Sequence, residues 1–116
     1  MSEELTFEEL SGGGNVDVIR VHGRLDTRMS PLLMERCIPA RDGGRNLILN
    51  LRAVSFLSSS GIGSLLVLTE EFRERGITLS LAETSPTVQE AIELMNLQTF
   101  LVLYGTEYEA VREQAA

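Results

Sequence analysis

Apolar and polar positions change period several times along the chain, and each change marks an element. Thr6 to Leu10 reads as a short strand, followed by Ser11-Gly-Gly-Gly-Asn15, a turn rich in residues that tolerate positive φ. Val16, Val18, Ile19 and Val21 form a β-branched run that ends at Gly23, so the two segments predict a hairpin. Leu32, Leu33, Cys37 and Ile38 then recur with helical spacing, ahead of Pro39 and the Asp42-Gly-Gly44 breaker. Asn46-Leu-Ile-Leu-Asn-Leu51 is too apolar for a strand with one wet face and predicts a central strand buried on both faces.

From Ser60 the period lengthens. Ile62, Leu65, Leu66 and Phe72 mark one face of a helix that stops near Arg75-Gly76. Ile77 to Leu81 reads as a strand, and Ser85-Pro86 starts a helix whose apolar positions are Val88, Ile92 and Met95. Phe100 to Leu103 is the last strand, and Tyr104-Gly105 leads into a final helix carrying Thr106, Tyr108 and Val111. The sequence therefore predicts an α/β fold: two strands, then helices and strands in alternation. Right-handed crossovers make most of the sheet parallel, with the hairpin adding antiparallel pairing. No linker, repeat or low-complexity tract interrupts it, and 116 residues fit one domain.

Charge and rare residues narrow the chemistry. With 17 acidic against 10 basic side chains the net charge is −7, which argues against direct nucleic-acid binding. The single Cys37 excludes an internal disulfide and a multi-cysteine metal site, so no metal or cofactor is expected. The acidic start, Met1-Ser-Glu-Glu-Leu5, has no basic, apolar signal pattern. The longest nearly apolar run, Gly61 to Leu68, is far below the roughly 18 residues of a membrane span. A cytoplasmic protein without membrane insertion is the expectation. His22 reads as a surface or edge residue, and Cys37, Met29, Met34 and Met95 as packing residues. Arg41, Arg45 and Arg52 read as isolated surface arginines rather than a basic patch, and Glu70, Glu71 and Glu74 as a solvated helix face.

The unusual stretch is Val54-Ser-Phe-Leu-Ser-Ser-Ser-Gly-Ile-Gly63, three successive serines where the central strand turns into a helix. One reading is a plain serine cap. The other is a phosphoacceptor, which needs only exposure and a place for the phosphate. A helix N-terminus supplies that place through its unpaired amides and dipole. A serine hydrolase lacks both a Gly-x-Ser-x-Gly elbow and any histidine besides His22, and the absence of lysine rules out a Gly-x-x-x-x-Gly-Lys phosphate loop.

The same residues resemble the STAS domain, the family of bacterial anti-sigma factor antagonists. Gly23-Arg-Leu-Asp26 resembles the family's Gly-x-Leu-Asp corner, and Asn50-Leu51 with Val54, Phe56 and Leu57 its central strand and exit. Ser59-Ser60-Gly61-Ile62-Gly63 resembles the segment opening the second helix, and Ser85-Pro86 with Val88 and Met95 to Leu97 a later helix. The resemblance runs from about residue 6 to 112 and treats residues 1–116 as one STAS domain.

This resemblance implies a mixed sheet of four to five strands flanked by about four helices. It implies a domain that binds an anti-sigma factor which is also a serine kinase of the GHKL type, thereby freeing a sigma factor. The kinase phosphorylates one serine and the complex separates; a metal-dependent serine phosphatase restores the first state. Ser59 aligns with the acceptor, Ser60 would cap the helix, and Gly61 and Gly63 would let the partner's backbone approach. Asp26 would order the loop or contact the kinase, and Ser58, Ser60 and Ile62 complete the implied binding surface. The family's Asp-Ser-Ser/Thr-Gly reads Ser58-Ser59-Ser60-Gly61 here, which makes Ser58 an alternative acceptor. The alternative function is a non-phosphorylated STAS subunit of a membrane lipid-transport ABC complex or another structural STAS module. Oligomeric state is not readable from the sequence.

Overall fold

The computed structural model describes residues 5–115, so the acidic Met1-Ser-Glu-Glu4 lies outside the described residues. Strands β1 (Thr6–Ser11) and β2 (Val16–Leu25) form the expected antiparallel hairpin. The chain continues through α1 (Ser30–Asp42), β3 (Asn46–Leu57), α2 (Ser59–Glu74), β4 (Leu79–Ala82), α3 (Pro86–Leu94), β5 (Val102–Tyr104) and α4 (Glu107–Gln114). The sheet runs β1-β2-β3-β4-β5, parallel from β2 onward, which places β3 at its centre. Leu47 to Leu51 are all buried, as a strand covered on both faces requires.

Right-handed crossovers that all step the same way across a sheet leave their helices on one face. Accordingly Leu33 and Cys37 of α1, Leu65, Leu68 and Phe72 of α2, and Val88 and Ile92 of α3 share one core with Leu47, Leu49 and Leu51. The alternate strand positions, Val16, Val18, Ile48 and Ala82, form a smaller cluster with buried Ala110 of α4, against which Leu10, Tyr104 and Val111 also pack. Burial pushes the Cys37 thiol up to about 12, so it packs as a hydrophobe and carries almost no thiolate at neutral pH.

Several boundaries move for local reasons. Helix α1 does not stop before Pro39 but runs through it to Asp42. Pro39 lies in the last turn, where its own carbonyl still accepts from Gly43 N–H at 2.9 Å, and buried Cys37 and Ala40 hold that turn down. The buried face is Ser30, Leu33, Cys37 and Ala40, leaving Ile38 exposed. Strand β3 extends past Leu51 to Leu57 because β2 continues beside it, with irregular register between Arg20 and His22 and between Gly23 and Arg24. Strand β4 starts two residues later than its pattern, at Leu79, and β5 is only Val102–Tyr104. Ser85 caps α3 as expected, its hydroxyl accepting from Val88 N–H at 3.4 Å. That helix ends before Met95, which is exposed, because Asn96 takes a left-handed φ of 56°. Thr106 caps α4, and Tyr108 points outward while Ala110 is buried.

Candidate functional site

Leu25 lies opposite Leu57 in the parallel β2–β3 pair, so both strands end side by side before turning into α1 and α2. Carboxyl ends of parallel strands are where α/β sheets present working residues. The β2 exit is set by Asp26. Its carbonyl accepts from Met29 N–H (3.2 Å), Ser30 N–H (2.9 Å) and Ser30 Oγ (2.7 Å), and its carboxylate accepts from Met29 N–H at 3.0 Å. Asp26 therefore starts α1, whose formal N-cap, Met29, has no side-chain cap bond.

The β3 exit sorts the three serines. Ser58, extended at ψ 170°, is the N-cap of α2, and its Oγ accepts from Gly61 N–H at 3.0 Å. The Ser58 N–H donates to the Leu25 carbonyl at 3.1 Å, and the hydroxyl leans on that carbonyl at 3.5 Å. Ser60 is thus not the cap. A cap must have non-helical backbone, and Ser60 already lies inside the helix, where its Oγ accepts from Thr27 Oγ1 at 3.1 Å. Ser59, the first helical residue, is exposed, and its hydroxyl takes no hydrogen bond among the described residues. The amides of Ser59 and Ser60 at this end have no internal acceptor among the described residues, as the first turn of any helix leaves them.

The two glycines differ. A Cβ on Gly61 would sit 2.5 Å from the Leu25 carbonyl oxygen and 2.8 Å from Leu57 Cδ1. Gly61 is buried and makes room for its own chain, not for a partner's backbone. Nothing lies within 4 Å of a Cβ built on Gly63, and the half-buried Ile62 stands between the two. The structure thus brings Asp26, Ser58, Ser59, Ser60 and Gly63 to one end of the sheet. It adds Thr27, which sequence reasoning did not single out although it directly follows the Asp26 corner. Just below, Arg24 stacks on the Phe56 ring at 4.0 Å, bracing the β2–β3 ribbon that carries the site. His22 is opposite Ala53, five strand residues or roughly 16 Å from Ser58, so no imidazole stands beside the serines.

A second polar feature lies on the α4 face, a groove of about 560 Å³ lined by Arg20, His22, Asn50, Arg52, Glu83 and Glu107 among others. Arg20 binds Glu107 through two bonds (3.0 and 2.8 Å) and Glu8 at 3.1 Å. Asn50, buried in the central strand, donates to Glu107 at 2.9 Å. Glu83, at a left-handed φ of 52°, accepts the Glu107 N–H at 2.8 Å and so caps α4 from outside. The visible signal for this network was Asn50, an amide inside an apolar run.

The Arg20 guanidinium, with the Asn50 amide, holds the Glu107 carboxyl below the usual glutamate range against the opposing effect of burial. A depressed carboxyl stabilises the fold above its ordinary pKa and ceases to do so as pH falls through the folded-state value. The thermal unfolding midpoint is expected to decline below about pH 4.5. Glu107→Gln should start lower at pH 7 and decline less over the same range; a variant with the parent's acid slope would refute this assignment.

The family model of the STAS domain matches residues 9–110, and the chain belongs to that family. Its relatives are consistent in kind. It is 30% identical to an anti-sigma-B factor antagonist of Staphylococcus aureus over 93 residues, covering 78% of this chain and 86% of that one. It is 24% identical to an anti-sigma F factor antagonist of Paenibacillus polymyxa over 108 residues, covering 90% and 92%. Among solved structures it resembles the Bacillus anti-sigma factor antagonist SpoIIAA. In the unphosphorylated form the TM-score is 0.76 at 26% identity, covering 93% and 95% of the two chains. In the phosphorylated form the TM-score is 0.72 at 25% identity, covering 93% and 98%. The five-stranded mixed sheet with four helices is the STAS fold. Against the family pattern, Ser58 replaces an aspartate, and both residues are strong N-caps, so the exchange preserves the helix start. No helix of the described residues is long and apolar enough to cross a membrane.

Proposed function

We propose that this chain is an anti-sigma factor antagonist controlled by reversible phosphorylation of Ser59. Unmodified, it binds an anti-sigma factor that is also a GHKL-type serine kinase, through Asp26, Ser58, Ser60, Ile62 and Gly63, and a sigma factor is released. The kinase moves the γ-phosphoryl group of ATP to Ser59 Oγ. An oxygen–phosphorus bond forms, the bond to the β-phosphate oxygen breaks, ADP leaves and the hydroxyl proton passes to a base on the kinase. A metal-dependent phosphatase hydrolyses the ester and restores the serine.

The observation that carries this reading is the sorting of the serines: of Ser58, Ser59 and Ser60, only Ser59 is exposed with an uncommitted hydroxyl. The relatives' names support the antagonist role, and SpoIIAA exists in both phosphorylation states. A phosphate at this position adds about −1.5 to −2 charge beside the free amides of α2. There it is tolerated in the free protein and becomes costly once a partner excludes water.

The test is capture of partners by the wild-type chain, incubation with ATP, and site mapping by mass spectrometry. One phosphate on Ser59 is expected, and Ser59→Ala should remain unphosphorylated while still binding the same partner. Phosphate on Ser58 or Ser60 in that variant would overturn the acceptor assignment. Recovery of an ABC-type ATPase in place of an ATP-binding kinase would favour the transport-subunit alternative.

A further inference from the structure

We propose that Thr27 is a specificity-determining residue for this phosphorylation, holding Ser60 out of the reaction so that transfer is confined to Ser59. The inference rests on the phosphorylation reading above and concerns how neighbouring hydroxyls are told apart. Ser59 and Ser60 are consecutive residues at a helix start, about 100° apart around its axis, and both are exposed. A kinase that reaches one lies within a small rotation of the other, so exposure alone does not discriminate between them.

Hydrogen bonding does. A serine oxygen attacks phosphorus through a lone pair and must give up its proton. Thr27 Oγ1 donates to Ser60 Oγ at 3.1 Å across 33 residues of sequence, which occupies one of its two lone pairs and favours one rotamer. Ser58 is engaged in the same way by the Gly61 amide. Thr27 itself is held because the preceding residue, Asp26, has its carbonyl and carboxylate bound to the first residues of α1. The contact therefore joins the β2 exit to the α2 start. Thr27 acts through its bond to Ser60. It is a positioning residue, and its signature is the ratio between two acceptor sites, not the overall rate.

A neutral hydrogen bond between exposed hydroxyls has a small net strength, so the discrimination is a several-fold ratio. The experiment compares wild type, Thr27→Val, Thr27→Ser, Ser59→Ala and Thr27→Val/Ser59→Ala, each incubated with ATP and the kinase captured by the wild-type chain. Phosphate is then quantified at every serine. In Thr27→Val the Ser60 to Ser59 ratio should rise about fivefold, with Ser59 still modified, which also shows that the variant folds. Thr27→Ser retains a hydroxyl and should restore the wild-type ratio. The double variant should carry phosphate on Ser60 where Ser59→Ala carries only background. Unchanged ratios in Thr27→Val, together with an unlabelled double variant, would overturn the role of Thr27 while leaving Ser59 as the acceptor. An unmodified wild-type Ser59 would instead overturn the phosphorylation reading, and this inference with it.

Discussion

Gly61→Ala is expected to lower the stability of the domain by about 3 kcal/mol, the upper part of the range for overpacking a filled site. The added methyl would meet the Leu25 carbonyl oxygen at 2.5 Å, and backbone cannot rotate aside as a side-chain tip can. That carbonyl also accepts from the Ser58 N–H, so displacing it disturbs the cap of α2 and the β2–β3 exit together. Alanine's better helix propensity returns no more than about 1 kcal/mol. Gly63→Ala is the matched control. Nothing lies within 4 Å of its Cβ, so stability should stay level or rise by up to about 1 kcal/mol. Urea unfolding followed by circular dichroism separates the two, and equal midpoints would show that Gly61 is not packed against Leu25.

The second large effect is on binding. Ser59→Asp should weaken capture of the anti-sigma factor by about tenfold or more, because a carboxylate is then desolvated against the partner. Its effect on folding has the opposite sign. A negative charge in the first turn of α2 complements the helix dipole, stabilising by about 0.3–1 kcal/mol at an exposed position. A variant at least as stable as the parent that binds more weakly isolates the charge as the cause. Ser59→Ala should bind as the parent does. Wild-type affinity in the aspartate variant, measured by calorimetry at moderate salt, would count against a charge-operated release.

What could be read from the residues alone was what local chemistry dictates. The apolar run at 46–51 announced the central strand, Ser85-Pro86 the start of α3, and the glycine-rich turn at 11–15 the hairpin. The serine cluster stood out because three serines meet at a strand-to-helix turn, and Ser59 was singled out within it only by the resemblance to the STAS family. What escaped were features decided by distant neighbours. Ser58 and Ser60 are the same residue type two positions apart; the backbone of Ser58, held extended with its N–H on the Leu25 carbonyl, lets its hydroxyl cap Gly61, while Ser60 is drawn into a tertiary contact by the Thr27 hydroxyl. Gly61 looked like an opening for a partner because the nearest atom around it, the Leu25 carbonyl oxygen, comes from β2, far back in the chain. Pro39 looked like a helix stop because the pull of Cys37 and Ala40 into the core is invisible to propensity. Arg20, Glu83 and Glu107 belong to three separate segments that meet only after the sheet has formed.

The sheet's strands follow one another in space in the same order as along the chain. The end that carries the three serines is therefore made by two adjacent strands and the helices that leave them, all between residues 16 and 74, with the far edge formed by the three-residue β5. Strand β5 is short, whereas α4 is tied back to the sheet through Glu107 to Arg20 and Asn50 and through the Gln114 carbonyl to Asn46. Opening confined to β5 leaves untouched the contacts of the serine turn, which come from Leu25, Thr27 and Gly61, so that turn can keep its shape while the far edge opens.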